Sequence, residues 1–176
     1  VDIKARSLSL TNNSRLNAGT SGQGNAGNIF LRIDDSASFS NSYIFSSVAA
    51  GAMGDGGNVD IKAGSLFLTD GAQIVAQLES SEDEVVGGRG NGGRVKIDVR
   101  DTFSVGGFPS GIFTIVNTGA EGKGGDIEIK ARSLDLNNEG YISSDTYGQG
   151  DAGSISITTD ERVFLGGSSQ VSSTVS

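Results

Sequence analysis

Four carboxylates fall within six residues at Glu79-Ser80-Ser81-Glu82-Asp83-Glu84. Glu79, Glu82, Asp83 and Glu84 are hard oxygen donors of the kind that ligate Ca²⁺. The segment lacks the alternating Asp/Asn and the closing Glu of a helix-loop-helix calcium site. It reads first as a solvated loop insertion and second as a calcium site. Five glycine loops invite a phosphate or calcium reading as well: Gly24-Asn25-Ala26-Gly27, Gly54-Asp55-Gly56-Gly57, Gly90-Asn91-Gly92-Gly93, Gly122-Lys123-Gly124-Gly125 and Gly150-Asp151-Ala152-Gly153. Phosphate loops, however, open helices and carry Lys-Ser/Thr, whereas these precede alternating apolar residues. Calcium-binding β-rolls repeat every nine residues or so with a fixed Asp, and that period is absent. Glycine here is read as left-handed backbone at tight corners.

Catalysis finds little support. The chain has no His, Cys or Trp, which removes His-based acid/base chemistry, thiolate metal sites and disulfides. Asp34, Asp35 and Asp98 are the candidate acids of a polysaccharide-cleaving β-helix, but stacked acids are expected on any charged solenoid. No catalytic residue is assigned and no resident cofactor is expected beyond the candidate calcium. A net charge of −8 without a basic run argues against nucleic acid and anionic membrane surfaces. No apolar stretch is long enough to span a bilayer, so no membrane insertion is expected.

The elements that must position these groups follow from the repeat. Each glycine loop is followed by one polar residue and an apolar-x-apolar pair: Ile29/Leu31, Val59/Ile61, Val95/Ile97, Ile127/Ile129 and Ile155/Ile157. Val1/Ile3 opens the chain in the same phase. Coils therefore start near residues 1, 29, 59, 95, 127 and 155, with a mean repeat of about 31 residues. Within a coil, three alternating runs can be laid out, as in Val59/Ile61/Ala63, Leu66/Leu68 and Ile74/Ala76. Short strands joined by Gly, Asn, Asp and Ser corners predict an all-β parallel β-helix of about six coils over residues 1–176, one solenoid segment. Helices are not expected. The repeat is also two-toned, because the second apolar pair begins one residue later in alternate coils. Duplication of a two-coil ancestor would produce that pattern.

In-register stacking would place two outward columns on the first strand. One reads Asp2, Phe30, Asp60, Lys96, Glu128 and Ser156; the other reads Lys4, Arg32, Lys62, Asp98, Lys130 and Thr158. The fourth coil inverts the pair, so Lys96 would sit between Asp60 and Glu128, and Asp98 between Lys62 and Lys130, at a step of ~4.8 Å where like charges repel. This face reads as solvated and ion-laced.

Units such as Leu68-Thr69-Asp70-Gly71-Ala72-Gln73-Ile74 and Ile142-Ser143-Ser144-Asp145-Thr146-Tyr147-Gly148-Gln149-Gly150-Asp151-Ala152-Gly153-Ser154-Ile155 resemble the repeats of filamentous-haemagglutinin-like exoproteins, and most closely the cyanobacterial members of the two-partner secretion system. The resemblance covers essentially the whole chain. It implies a right-handed β-helix, a secreted or cell-surface location, an outer-membrane secretion partner for the full-length protein, and roles in adhesion or assembly. The family's N-terminal secretion domain carries Asn-Pro, which does not occur here, so the chain corresponds to passenger stalk. The leading expectation is a non-enzymatic structural module, a rigid rod that displays loops at residues 79–88 and 106–111. Glu79, Glu84, Phe108 and Pro109 are the candidate display residues. The alternative is a polysaccharide-binding module, less often a polysaccharide-degrading one, with cell-surface glycans as partners. Because the sequence starts and stops within a repeat, the end coils are expected to meet further coils of a longer chain or end-to-end copies.

Overall fold

A coil of about thirty residues buries too little apolar surface to offset the entropy of ordering it, so each coil needs another beneath it. The computed structural model describes residues 1–81 and 86–176, and it resolves that need as a parallel β-solenoid of six coils. The described residues contain no helix.

The first ladder joins β1 (Asp2–Ala5), β4 (Ile29–Ile33), β7 (Val59–Ala63), β11 (Val95–Val99), β15 (Ile127–Asn137) and β17 (Ile155–Leu165). The second joins β2 (Leu8–Leu10), β5 (Ser36–Ser40), β8 (Ser65–Thr69) and β12 (Thr102–Gly106) to the later halves of β15 and β17. The third joins β3 (Arg15–Asn17), β6 (Tyr43–Phe45), β9 (Gln73–Val75), β13 (Gly111–Phe113), β16 (Tyr141–Ser143) and β18 (Gln170–Ser172). All these pairings are parallel, and the register is the one the apolar spacing predicts: Ile29 lies on Val59, Val59 on Val95, Val95 on Ile127 and Ile127 on Ile155.

The two-toned repeat has a structural counterpart. Ile127 stacks on Ile155, but beyond a register shift at the first corner Leu134 stacks on Val163, one residue further along. The extra residue sits at that corner and leaves both ladders in phase. A β-bulge of this kind re-aims a strand without unpairing its neighbours.

Inward residues of the three ladders form one continuous core. Ile29, Leu31, Ile61, Leu66, Leu68, Ile74, Ile97 and Phe103 are wholly buried. A smaller cluster of Val48, Ala52, Leu78, Val116 and Ala120 lies apart from it, and Val48, Leu78 and Val116 pair in a column of isolated bridges. The buried hydroxyls of Ser46, Thr114 and Ser144 lie on the third side of the coil. Ser46 donates to the Gly27 carbonyl at 2.6 Å, and Thr114 and Ser144 both donate to the Gly125 carbonyl at 2.6 and 2.8 Å. These bonds brace the third ladder against the glycine loops through the interior.

The glycine loops are more than corners. They form a short fourth ladder, in which β10 (Arg89–Asn91) pairs in parallel with β14 (Glu121–Lys123). Gly24, Gly54, Gly90, Gly122 and Gly150 stack in a column with φ between +127° and +153°. That backbone is closed to L side chains. A Cβ on Gly122 would also collide with the Gly90 carbonyl of the coil before. At three of the five loops the polar residue that follows caps the next coil. Asn28 Oδ1 accepts from the Asn58 amide at 2.8 Å, Asn58 Oδ1 from Arg94 at 3.1 Å, and Asp126 Oδ1 from Ser154 at 2.8 Å. The Ser154 amide and hydroxyl hold the Asp126 carboxyl below the usual range.

On the outer face of the first ladder Lys96 Nζ meets Glu128 at 2.6 Å, and Arg32 meets Asp2 at 2.7 Å across the two columns. Both pairs are open to solvent and contribute little to stability. At the chain's two ends the core thins. Val163 and Leu165, which stack on Leu134 and Leu136, are 46% and 48% exposed.

The glycine column gives the sharpest test of this packing. Gly122→Ala should cost about 3 kcal/mol or more in urea denaturation, since it combines a forbidden φ with a backbone collision. Gly22→Ala, where a Cβ would meet nothing within 4 Å, should change stability by no more than about 0.5 kcal/mol. Equal effects at both positions would contradict the stacked column.

Candidate functional site

Outward positions on the third ladder carry side chains unlike those on the first. Across the last four coils, Gln73, Gly111, Tyr141 and Gln170 form one column, and Val75, Phe113, Ser143 and Ser172 form the next. Just past the strands come Gln77, Ile115, Asp145 and Thr174. With Phe45 on one side and Tyr147 on the other, all of these residues except Gly111 line a groove of about 520 Å³. That volume falls within the ordinary range for ligand pockets.

One wall is built by a corner. Between Val105 and Ile112 the chain takes one residue more than between Leu68 and Ile74 or between Leu136 and Ile142. The surplus carries Phe108 and Pro109 outward, after Gly107 at φ +82°. Gln73 Nε2 donates to the Pro109 carbonyl at 3.1 Å, and the buried Ser110 hydroxyl accepts from the Gly71 amide at 3.0 Å. The lip is thereby tied to the coil beneath. Phe108 is 65% exposed, and its ring meets Tyr141 edge-on with centroids 6.3 Å apart. Tyr147 is about half exposed, at 48%. Towards the first coil, Tyr43 stacks on Phe45 at 5.5 Å with Arg15 over the tyrosine ring.

The floor is organised by Asp145, a buried carboxylate. Its Oδ2 accepts from the Ser143 hydroxyl at 2.6 Å and the Ser172 hydroxyl at 2.5 Å. Its Oδ1 accepts from the Thr174 amide at 2.8 Å and the Thr174 hydroxyl at 3.0 Å. Burial pushes this carboxyl up, but the four hydrogen bonds from Ser143, Ser172 and Thr174 outweigh it and leave it below the usual range. Asp145 is therefore ionised at neutral pH, and both of its oxygens are fully engaged.

The residues singled out in the sequence lie at several places. Phe108 and Pro109 form the groove's lip. Glu79 faces a hollow of about 260 Å³ shared with Arg15, Asn17, Thr20, Phe45 and Ser47. Burial raises its carboxyl, and a hydrogen bond with Ser47 opposes this only in part. Glu82, Asp83 and Glu84 lie outside the described residues. Among the described residues, no three carboxylates come together as a metal site. Asp34 and Asp98 share a separate hollow with Arg32, Lys62 and Arg100, whose guanidinium donates to the Asp34 carbonyl. Asp35 is not among that hollow's lining residues.

Sequence reading missed the groove itself. The alternation of the third run accounts only for its inward residues, such as Ile74 and Ala76. The signal was present in Tyr43-Ile44-Phe45 and Gly111-Ile112-Phe113-Thr114-Ile115, where apolar residues occupy both phases of one strand.

Two carboxylates should respond oppositely to acid. A depressed folded pKa makes the stabilisation by Asp145 complete above the unfolded carboxyl value of ~3.9 and progressively lost below it. Asp145→Ala should cost about 2 kcal/mol at pH 7, with the gap to the parent narrowing once the pH falls below that value. Glu79 has a raised folded pKa, so its ionisation opposes folding, and the penalty grows as pH rises above ~4.3. Glu79→Gln should raise the melting temperature at pH 7 and leave it unchanged near pH 4. Thermal scans across this range check both signs.

Compared with protein-family models, curated proteins and solved structures, the chain matches none.

Proposed function

We propose that this chain is a structural module of a secreted or cell-surface adhesin or filament, a stiff rod that carries its display surface on one side. The observation that supports this reading is the unbroken ladder. Equivalent residues stack in register from the first coil to the last, so the spacing of any outward feature is set by the fold. Six coils at ~4.8 Å give a rod about 29 Å long. The edges of β1 and β17 carry unpaired backbone groups that can accept another coil, from a longer chain or from a second copy. The resemblance to filamentous-haemagglutinin-like repeats points the same way, towards export through an outer-membrane partner. The proposed role is not enzymatic. In the groove, the one carboxylate among the described lining residues already accepts four hydrogen bonds, so it has no lone pair left for a proton transfer.

A second reading, binding of polysaccharide, is favoured by the groove on the third ladder. Exposed aromatic rings beside amides and hydroxyls suit a sugar better than they suit bulk water.

Beads coated with the chain provide the test, because dense display converts weak single contacts into retention. Coated beads should be held several-fold more than albumin-coated beads on bacterial cells or their extracellular matrix under flow. Retention equal to the albumin control would overturn the adhesion reading.

A further inference from the structure

The hydrogen-bond polarity of the groove restricts what can lie in it. Each of the Ser143, Ser172 and Thr174 hydroxyls owns one proton, and each gives it to Asp145. What remains to these oxygens is lone pairs, so the floor presents acceptors and asks its ligand for donors. Among the described residues, no Lys or Arg lines the groove, and the carboxylate beneath holds a full negative charge. An anionic ligand would thus meet acceptors and a like charge on the floor, with only neutral donors such as the Gln77 and Gln170 amides and no cation to offset its desolvation.

Aromatic rings stand along the same path, with Phe108 and Tyr141 edge to face and Tyr147 exposed beyond them. Pyranose rings offer C–H faces to such rings and hydroxyl protons to acceptors. The groove crosses four coils, or about 14 Å between its first and last strands at ~4.8 Å per step, which suits an extended chain rather than a single ring. A peptide would gain least here. The interior strands of the third ladder have both neighbours in place, so no backbone edge is open for an added strand along the groove floor.

We propose, building on the polysaccharide-binding reading, that this groove holds a linear neutral glycan by its own hydroxyl protons and discriminates against uronate- or sulfate-bearing chains. Phe108 and Tyr147 supply stacking surfaces, and Ser143, Ser172 and Thr174 supply acceptors whose orientation Asp145 sets. Asp145 is a positioning residue, already saturated and not itself a ligand contact.

Calorimetric titration of the chain tests this with four probes: a neutral manno- or gluco-hexaose, a hexagalacturonate, a sulfated hexasaccharide and an oligolysine peptide. The expected result is saturable binding of a neutral hexaose, with the two anionic sugars at least tenfold weaker. Phe108→Ala and Tyr147→Ala, both at exposed positions, should each weaken the neutral ligand by about tenfold. Ser172→Ala, which deletes an acceptor, should weaken it too, and circular dichroism should show every variant folded. Equal or tighter binding of an anionic hexamer at the groove would overturn the proposed selectivity and leave the polysaccharide reading standing. Binding of no glycan would overturn both. Heat from oligolysine alone, abolished by Tyr147→Ala, would reassign the groove to a cationic partner and overturn the proposal. Neutral binding unaffected by all three substitutions would place the glycan elsewhere and overturn it equally.

Discussion

Each strand of this solenoid lies in register against its equivalent one coil away, and that repeated close approach dictates most of what the chain must be. A step of ~4.8 Å leaves no slack. At the loop where the backbone turns with φ near +140°, the carbonyl of one glycine occupies the space a Cβ would need on the next, as Gly90 and Gly122 show. Glycine enters the sequence at this interval because two independent constraints, torsional and steric, coincide there. After three of the loops the next residue, Asn28, Asn58 or Asp126, answers a third constraint, since it supplies an acceptor for the amide of the following coil.

The same stacking rule works differently on the inside and the outside. Inside, it aligns apolar residues into columns and lets buried hydroxyls cross to the glycine carbonyls, which ties the far walls of each coil together. Outside, it aligns whatever the sequence supplies. On the first ladder that is charge, with Lys4, Arg32 and Lys62 in register before Asp98 reverses the sign, and on the third it is aromatic rings, amides and the hydroxyl cluster around Asp145. The grooved face differs from the charged one chiefly in these outward choices, while parallel ladders of the same kind lie beneath both.

This explains how far the residues alone could be read. Apolar pairs such as Val59/Ile61 and Val95/Ile97 recur at one phase relative to the glycines, so register and coil number followed from counting. Even the one-residue offset between alternate coils was visible. The short ladder of β10 and β14 was not, because glycine-rich strands carry no alternation to detect. The groove was hidden for the opposite reason. Phe45, Phe113 and Ile115 are apolar residues facing outward, and an alternation argument sends apolar residues inward by default. The Asp145 cluster draws Ser143, Ser172 and Thr174 from two coils, and nothing in a serine-rich stretch reveals which hydroxyls will converge.

The ladders have a mechanical consequence. Their hydrogen bonds run along the axis of the rod, so tension applied between the chain's ends loads the outermost coil alone rather than all coils together. Coils then peel off singly, each yielding a length of roughly 100 Å for some thirty extended residues. Because every coil rests on a similar neighbour, each release meets a similar resistance. Such a rod pays out length in even steps under load instead of snapping at one threshold, much as a wound tether lets out line.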